Sequence, residues 1–139
     1  MGITISGPTK SIDLGNAGFL RLRLKVAELS EPDIYEHYKY LCENMFGMSH
    51  DDFVLYDHKT EEISAKYNGK KDDILDFLYS PDDSAELSVN VCESVFETIK
   101  DYDDNILYGY AGRKDCAKFK DFKDILVDCI SHNTGLEWF

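Results

Sequence analysis

The eleven residues FLRLRLKVAEL, Phe19 to Leu29, read two ways. Leu20, Leu22, Leu24 and Val26 alternate with Arg21, Arg23 and Lys25, the period-two pattern of a half-buried strand that turns a basic stripe to solvent. Phe19, Leu22, Val26 and Leu29 also fall at helical spacing, and most of the residues between them are good helix formers. The helical reading is adopted here. It makes the whole chain mainly α, because the patterns on its C-terminal side are helical as well.

Immediately downstream, Ser30 is placed to cap a second helix. Pro32 sits in its first turn, and Asp33 follows where a carboxylate complements the helix N-terminus. Its expected buried face is Ile34, Tyr38, Leu41, Cys42 and Met45, and Gly47 ends it. After a polar interval, short helical patterns are built on Ile63 and Tyr67 and on Ile74, Leu75 and Leu78, broken by Asn68-Gly69 and Ser80-Pro81. Val91, Cys92, Val95, Phe96 and Ile99 define another helix running to about Lys100, and Phe119, Phe122, Leu126 and Cys129 define the last, stopped by Asn133 to Gly135.

Upstream, Gly15-Asn16-Ala17-Gly18 reads as a turn, and Met1 to Ser6 (MGITIS) as a terminal strand or arm closed by Gly7-Pro8. The closing LEWF, Leu136 to Phe139, is apolar enough to pack back and pair with the opening ITI. No repeat, linker or low-complexity run divides the chain. The expected architecture is a compact single helical domain over residues 1–139, with a small two-stranded sheet from the termini.

With 139 residues, 43% hydrophobic and 30% charged, the chain has enough apolar matter for one core. No run approaches the roughly 18 apolar residues of a membrane helix, and Met1 to Ser6 lacks the charged and apolar blocks of a signal peptide. A soluble cytoplasmic protein with no membrane contact is the expectation.

The net charge of -12 is unevenly spread. Residues 33–104 hold 19 acids and six bases, a local balance of -13, whereas the flanks are nearly neutral. Such a segment repels nucleic-acid phosphates and anionic lipid, so direct nucleic-acid binding is disfavoured. It attracts a basic protein, including one whose groove ordinarily holds nucleic acid. Acidic composition also serves solubility.

Cys42, Cys92, Cys116 and Cys129 form no Cys-x-x-Cys pair, so no zinc ribbon is expected. Three of them fall on apolar helical faces and read as core thiols in a reducing compartment. Cys116 lies in a polar loop beside Arg113 and Lys114, neighbours that lower a thiol pKa, and is the one cysteine worth testing for reactivity.

A calcium loop started at Ser80 places Asp82 and Ser84 at ligand positions. Ala85 then replaces the bending Gly, and Val91 replaces the closing Glu. Asp101, Asp103 and Asn105 repeat the spacing, with Ile106 and Gly112 at those two positions. His37, His50, His58 and His132 are the candidate ligands or bases; His58 with Glu61 and Glu62 places imidazole and carboxylate on one helical face, and a third metal ligand is missing. Gly7-Pro8-Thr9-Lys10-Ser11 lacks the glycine spacing of a phosphate-binding loop, and no nucleophile elbow, zinc-protease helix or dinucleotide fingerprint occurs. No metal or cofactor and no catalytic residue is assigned. The stretch Asp101 to Phe122 is the most unusual, joining aspartates, Tyr102, Tyr108, Tyr110, two glycines and Arg113 in a mix that suits recognition.

The runs SIDLG (11–15), NAGFLRLR (16–23), KVAEL (25–29), DYDDNILYGYAGR (101–113) and CAKFKDFKDILVDC (116–129) resemble an uncharacterised family of small acidic proteins carried by phages and mobile elements of Gram-positive gut bacteria. The resemblance implies an accessory protein, of the kind that often inhibits host processes such as nucleic-acid-targeting defence. It brings no catalytic residue with it.

Charge and resemblance together lead to a first expectation: a non-enzymatic binding protein, an anti-defence inhibitor, that presents Asp72, Asp73, Asp76, Asp82, Asp83, Asp101, Asp103 and Asp104 to a basic host protein. The alternative is a protein that sequesters a nucleotide or signalling metabolite, with Arg113 holding the anion and Tyr108 or Tyr110 stacking on it.

Overall fold

The computed structural model describes residues 2–108 and 117–139. Strands β1 (Gly2–Ser6) and β2 (Ser11–Gly15) open the chain, followed by helices α1 (Asn16–Ser30) and α2 (Pro32–Asn44). A 3-10 turn (Met45–Gly47) leads to α3 (His50–Lys66) and α4 (Asp72–Tyr79). Strand β3 (Ala85–Leu87), helices α5 (Val89–Ile99) and α6 (Phe119–Ser131), and strand β4 (Leu136–Trp138) complete the order. The domain is mainly α.

Phe19 to Leu29 is helical, and burial explains why that reading wins over the strand. The helix turns Phe19, Leu22, Val26 and Ala27 into the core and leaves Leu20 and Arg21 outside. Arg23 does not join a solvent stripe. It is 4% exposed, with its guanidinium 4.9 Å from the centre of the Phe19 ring and 5.1 Å from that of Trp138. Its Nε and Nη2 donate to the Phe77 carbonyl at 3.2 and 2.8 Å, and Nη2 also donates to the Ser80 carbonyl at 2.6 Å. The cation thereby satisfies carbonyls at the C-terminus of α4, where the helix dipole is negative.

The terminal segments do pair, Ile5 opposite Trp138 and Ser6 opposite Glu137, but within four strands rather than two. The antiparallel order is β2-β1-β4-β3. β2 pairs with β1 across the Gly7-Pro8 turn, and β3 aligns Leu87 with Leu136. β3 is only three residues long, and its close approach to the turn before β4 depends on glycine. A Cβ on Gly135 would lie 2.2 Å from the Leu87 carbonyl oxygen.

Asp128 ties the β1–β2 turn to α6. Its buried carboxylate accepts from the Thr9 backbone N–H at 2.8 Å and the Thr9 hydroxyl at 2.6 Å, with His132 Nδ1 at 3.3 Å. Sheet and helices share one core, in which Trp138 packs edge-on against Phe19 and Phe77 and donates its indole N–H to the Pro81 carbonyl at 2.8 Å.

Several local expectations are corrected. Gly15 to Gly18 is the start of α1, with Gly15 extended as the cap and Gly18 buried. Ser30 ends α1 instead of capping α2, whose cap position is Glu31. On α2, Ile34 and Tyr38 are buried and Leu41 and Cys42 half-buried, but Met45 is exposed. The polar interval after Gly47 is the first half of α3. Ser49 Oγ accepts from the Asp52 N–H, and Asp52 accepts from the Ser49 N–H in a capping box. Only Tyr56 and Ile63 of that helix are buried, so its sequence carries little helical periodicity.

Candidate functional site

The eight aspartates of the acidic block fall in three groups. Asp72, Asp73 and Asp76 belong to α4, where the first two also complement the helix N-terminus. Asp82 and Asp83 follow Pro81 in the loop to β3, and Asp101, Asp103 and Asp104 follow α5. All are exposed except the half-buried Asp73.

Four of them have partners within the chain. Ser64 Oγ donates to Asp72 at 2.6 Å, Ser94 Oγ to Asp73 at 2.8 Å, the Asn105 N–H to Asp103 at 2.9 Å, and Lys123 Nζ to Asp104 at 2.8 Å. The carboxylates of Asp76, Asp82, Asp83 and Asp101 have no hydrogen bond or ion pair among the described residues. Partial burial and then the neighbouring charges of Asp73 and Asp72 raise the Asp76 carboxyl above its ordinary pKa.

Of the residues in the alternative site, Tyr110 and Arg113 lie outside the described residues, as does Cys116, the cysteine singled out for reactivity. Tyr108 is 4% exposed, its ring centre 5.5 Å from that of Phe119 and its hydroxyl buried without a hydrogen-bond partner among the described residues. Arg21 comes within 6.0 Å of that ring, and Lys25 within 4.9 Å of Tyr102.

A cleft of about 480 Å³ lies among the ends of α1, the α3–α4 turn and α5. Lys70 and Lys71 line it together with Glu93 and Glu97, so it presents no single sign of charge.

A second polar cluster joins α2, α3 and α4. The His37 ring stacks on Tyr56 at 3.8 Å, and its Nε2 lies 2.7 Å from Thr60 Oγ1. Thr60 donates to the Tyr56 carbonyl and Tyr56 to the His37 carbonyl, while the Tyr79 hydroxyl lies 2.6 Å from that of Tyr56. Thr60 spends its only hydrogen on that carbonyl, so the neutral His37 carries its proton on Nε2. Burial lowers the His37 pKa, with Lys59 adding to the effect, and burial pushes the Tyr79 hydroxyl up to about 12. These groups satisfy one another and hold α3 against α2.

No family model, curated protein or solved structure matches this chain. His58 and Glu61 come within 3.8 Å of each other, both exposed, and among the described residues no group of three His, Cys, Asp or Glu side chains is placed to hold a metal. No helix among them is long and apolar enough to cross a membrane.

One surface feature escapes the sequence reading. Of eleven exposed large hydrophobic residues among those described, six lie between Tyr40 and Leu55: Tyr40, Met45, Phe46, Phe53, Val54 and Leu55. Phe46 is 98% exposed. The available signal was MFGM and FVL standing within an acidic stretch, but helical spacing made Met45 a core residue and left the others unassigned.

Proposed function

We propose that the chain is a non-enzymatic binding protein whose acidic surface occupies a basic site on a host protein, one that otherwise holds nucleic acid. The observation that supports this most directly is that the exposed carboxylates of Asp76, Asp82, Asp83 and Asp101 make no hydrogen bond or ion pair among the described residues. Asp76 is further crowded by Asp72 and Asp73. A partner's Lys or Arg relieves that repulsion on binding, whereas a carboxylate already paired internally must exchange one partner for another. The resemblance to phage and mobile-element proteins supplies the context of an anti-defence inhibitor in the cytoplasm of the infected cell.

The test is capture from a lysate of a Gram-positive gut bacterium on immobilised protein at low and high salt. A basic nucleic-acid-handling protein is expected to be retained and then released by salt, because exposed charges are screened beyond about 8 Å at physiological ionic strength. The combined variant Asp76→Asn, Asp82→Asn, Asp83→Asn, Asp101→Asn is expected to lose it. Retention indifferent to both salt and the variant would overturn the reading.

A second reading, sequestration of a nucleotide or signalling metabolite, is favoured by one observation: the buried Tyr108 hydroxyl, unpartnered among the described residues, with Arg21 beside its ring. Calorimetric titration with nucleotides tests it, and an absence of heat for all of them would dismiss it.

A further inference from the structure

We infer that the corner between α2 and α3 is a docking face for a protein whose apolar socket is rimmed by Lys and Arg. This rests on the reading of the chain as a binder of basic protein, and it moves the centre of contact from the aspartates of α4 to an apolar knob.

Side-chain pairs run down the two helices in opposite order. Asp33 of α2 meets Lys66, the last residue of α3, and Tyr67 just beyond it, and one turn on His37 meets Thr60 and Tyr56. The next turns bring Tyr40 and Phe53 to the same end, where the 3-10 turn carries Met45 and Phe46. Phe53, Val54 and Leu55 are consecutive, so they wrap more than half of the first turns of α3. The corner is tied down by local hydrogen bonds. Asn44 Nδ2 donates to the Tyr40 carbonyl, the Met48 N–H to the Met45 carbonyl, and Ser49 and Asp52 complete the capping box. A pre-ordered apolar knob loses little conformational entropy on binding, which is how a few exposed aromatic side chains come to dominate an interface.

Charge selects the occupant. Residues 40–58 contain Glu43, Asp51, Asp52 and Asp57, all exposed, and no Lys or Arg. Lys39 and Lys59 stand at its two edges, so two copies meeting through this corner would bring eight carboxylates together against four lysines at the margin, and a second copy fits poorly. An anionic membrane is repelled for the same reason. A partner with an apolar socket and a basic rim meets both the knob and its acidic border.

The probe is a fluorescent 18-residue amphipathic helix of Leu and Lys, beside a control with Ser in place of every Leu. Binding is measured by anisotropy and mapped by amide chemical shifts. The Leu–Lys peptide is expected to perturb Met45 to Leu55 and to weaken by about 30-fold with Phe46→Ser, a change that alters no charge and no buried contact. Leu55→Ser is expected to act in the same direction, and Asp72→Asn with Asp76→Asn only weakly.

Perturbation centred on α4, unaffected by Phe46→Ser, would overturn the docking face and leave the acidic reading standing. Equal binding of the Ser control would do the same. If neither peptide binds, both proposals fall. A dimer in solution that Phe46→Ser dissociates would assign the corner to a second copy, and partition onto phosphatidylcholine vesicles that Phe46→Ser abolishes would assign it to lipid. Either result overturns the inference.

Discussion

Arg23 is held by the carbonyl oxygen of Phe77, which accepts from both its Nε and Nη2, while Phe77 turns its own ring toward the guanidinium at 5.9 Å. Burial lowers the Arg23 pKa, with the fields of Tyr38 and Asp82 opposing the shift. A cation in a core is normally costly, but here carbonyl oxygens and three aromatic faces take the place of water.

Arg23→Ala leaves those carbonyls without their donor and opens a cavity beside Trp138, so a loss of about 3 kcal/mol is expected. Chemical denaturation measures it. Arg23→Lys should recover only part, because an ammonium has no planar fork to match two carbonyls. If Arg23→Ala cost no more than an exposed substitution, the capping role of Arg23 would be refuted.

His37 predicts acid sensitivity. Its folded pKa lies below the unfolded value of about 6.5, so the unfolded chain binds more protons between the two. The stability it contributes is complete above about pH 6.5 and is lost as pH falls through the folded pKa. Asp128, held low chiefly by the Thr9 hydroxyl, acts in the same direction but in a separate window below its ordinary value of 3.8. Stability measured from pH 7.5 to 5 should therefore decline in the native protein and much less in His37→Gln, which can still donate to Thr60. An equal decline in both would remove His37 from the explanation.

Asp76 predicts the opposite trade. Its pKa is raised by burial and by Asp73 and Asp72, so its charge works against folding at neutral pH, and that penalty disappears as acid protonates it. Asp76→Asn should raise stability by a few tenths of a kcal/mol, on the order of a relieved like-charge pair, while weakening capture of a basic partner. A variant that becomes more stable and binds as before would detach this carboxylate from function.

Gly135→Ala should be severe. The added methyl group would meet the Leu87 carbonyl oxygen at 2.2 Å, and backbone must move because no flexible side chain lies there. A loss of more than about 2 kcal/mol is expected, with faster amide exchange at β3 and β4. Gly47→Ala, with open space around its Cβ position, is the matched control.

Strongly periodic helices were legible before the structure. α5 and α6 follow from Val91, Cys92, Val95 and Ile99 and from Phe119, Phe122, Leu126 and Cys129, because a helix with one buried face imprints its period on the sequence. Asn68-Gly69 stops α3 as read, both residues having positive φ. The front half of α3 was not legible, since a helix exposed on most sides has no such imprint. β2 and β3 were missed because short strands are defined by their partners, and β3's partner lies some 50 residues away in sequence.

Composition and order along the chain determined by themselves that one mainly helical domain would form and that its charge would sit in the middle half, residues 33–104. Tertiary structure decided what each charge and each apolar side chain is for. It drew Arg23 out of an apparent surface stripe into the core, paired Asp104 with Lys123, and left Asp82 without a partner among the described residues. It also set Phe46 in solvent while burying Phe77. The physical reason is that burial and pairing are properties of neighbours in space, and residues as distant as Arg23 and Phe77 acquire theirs only when α1 and α4 meet.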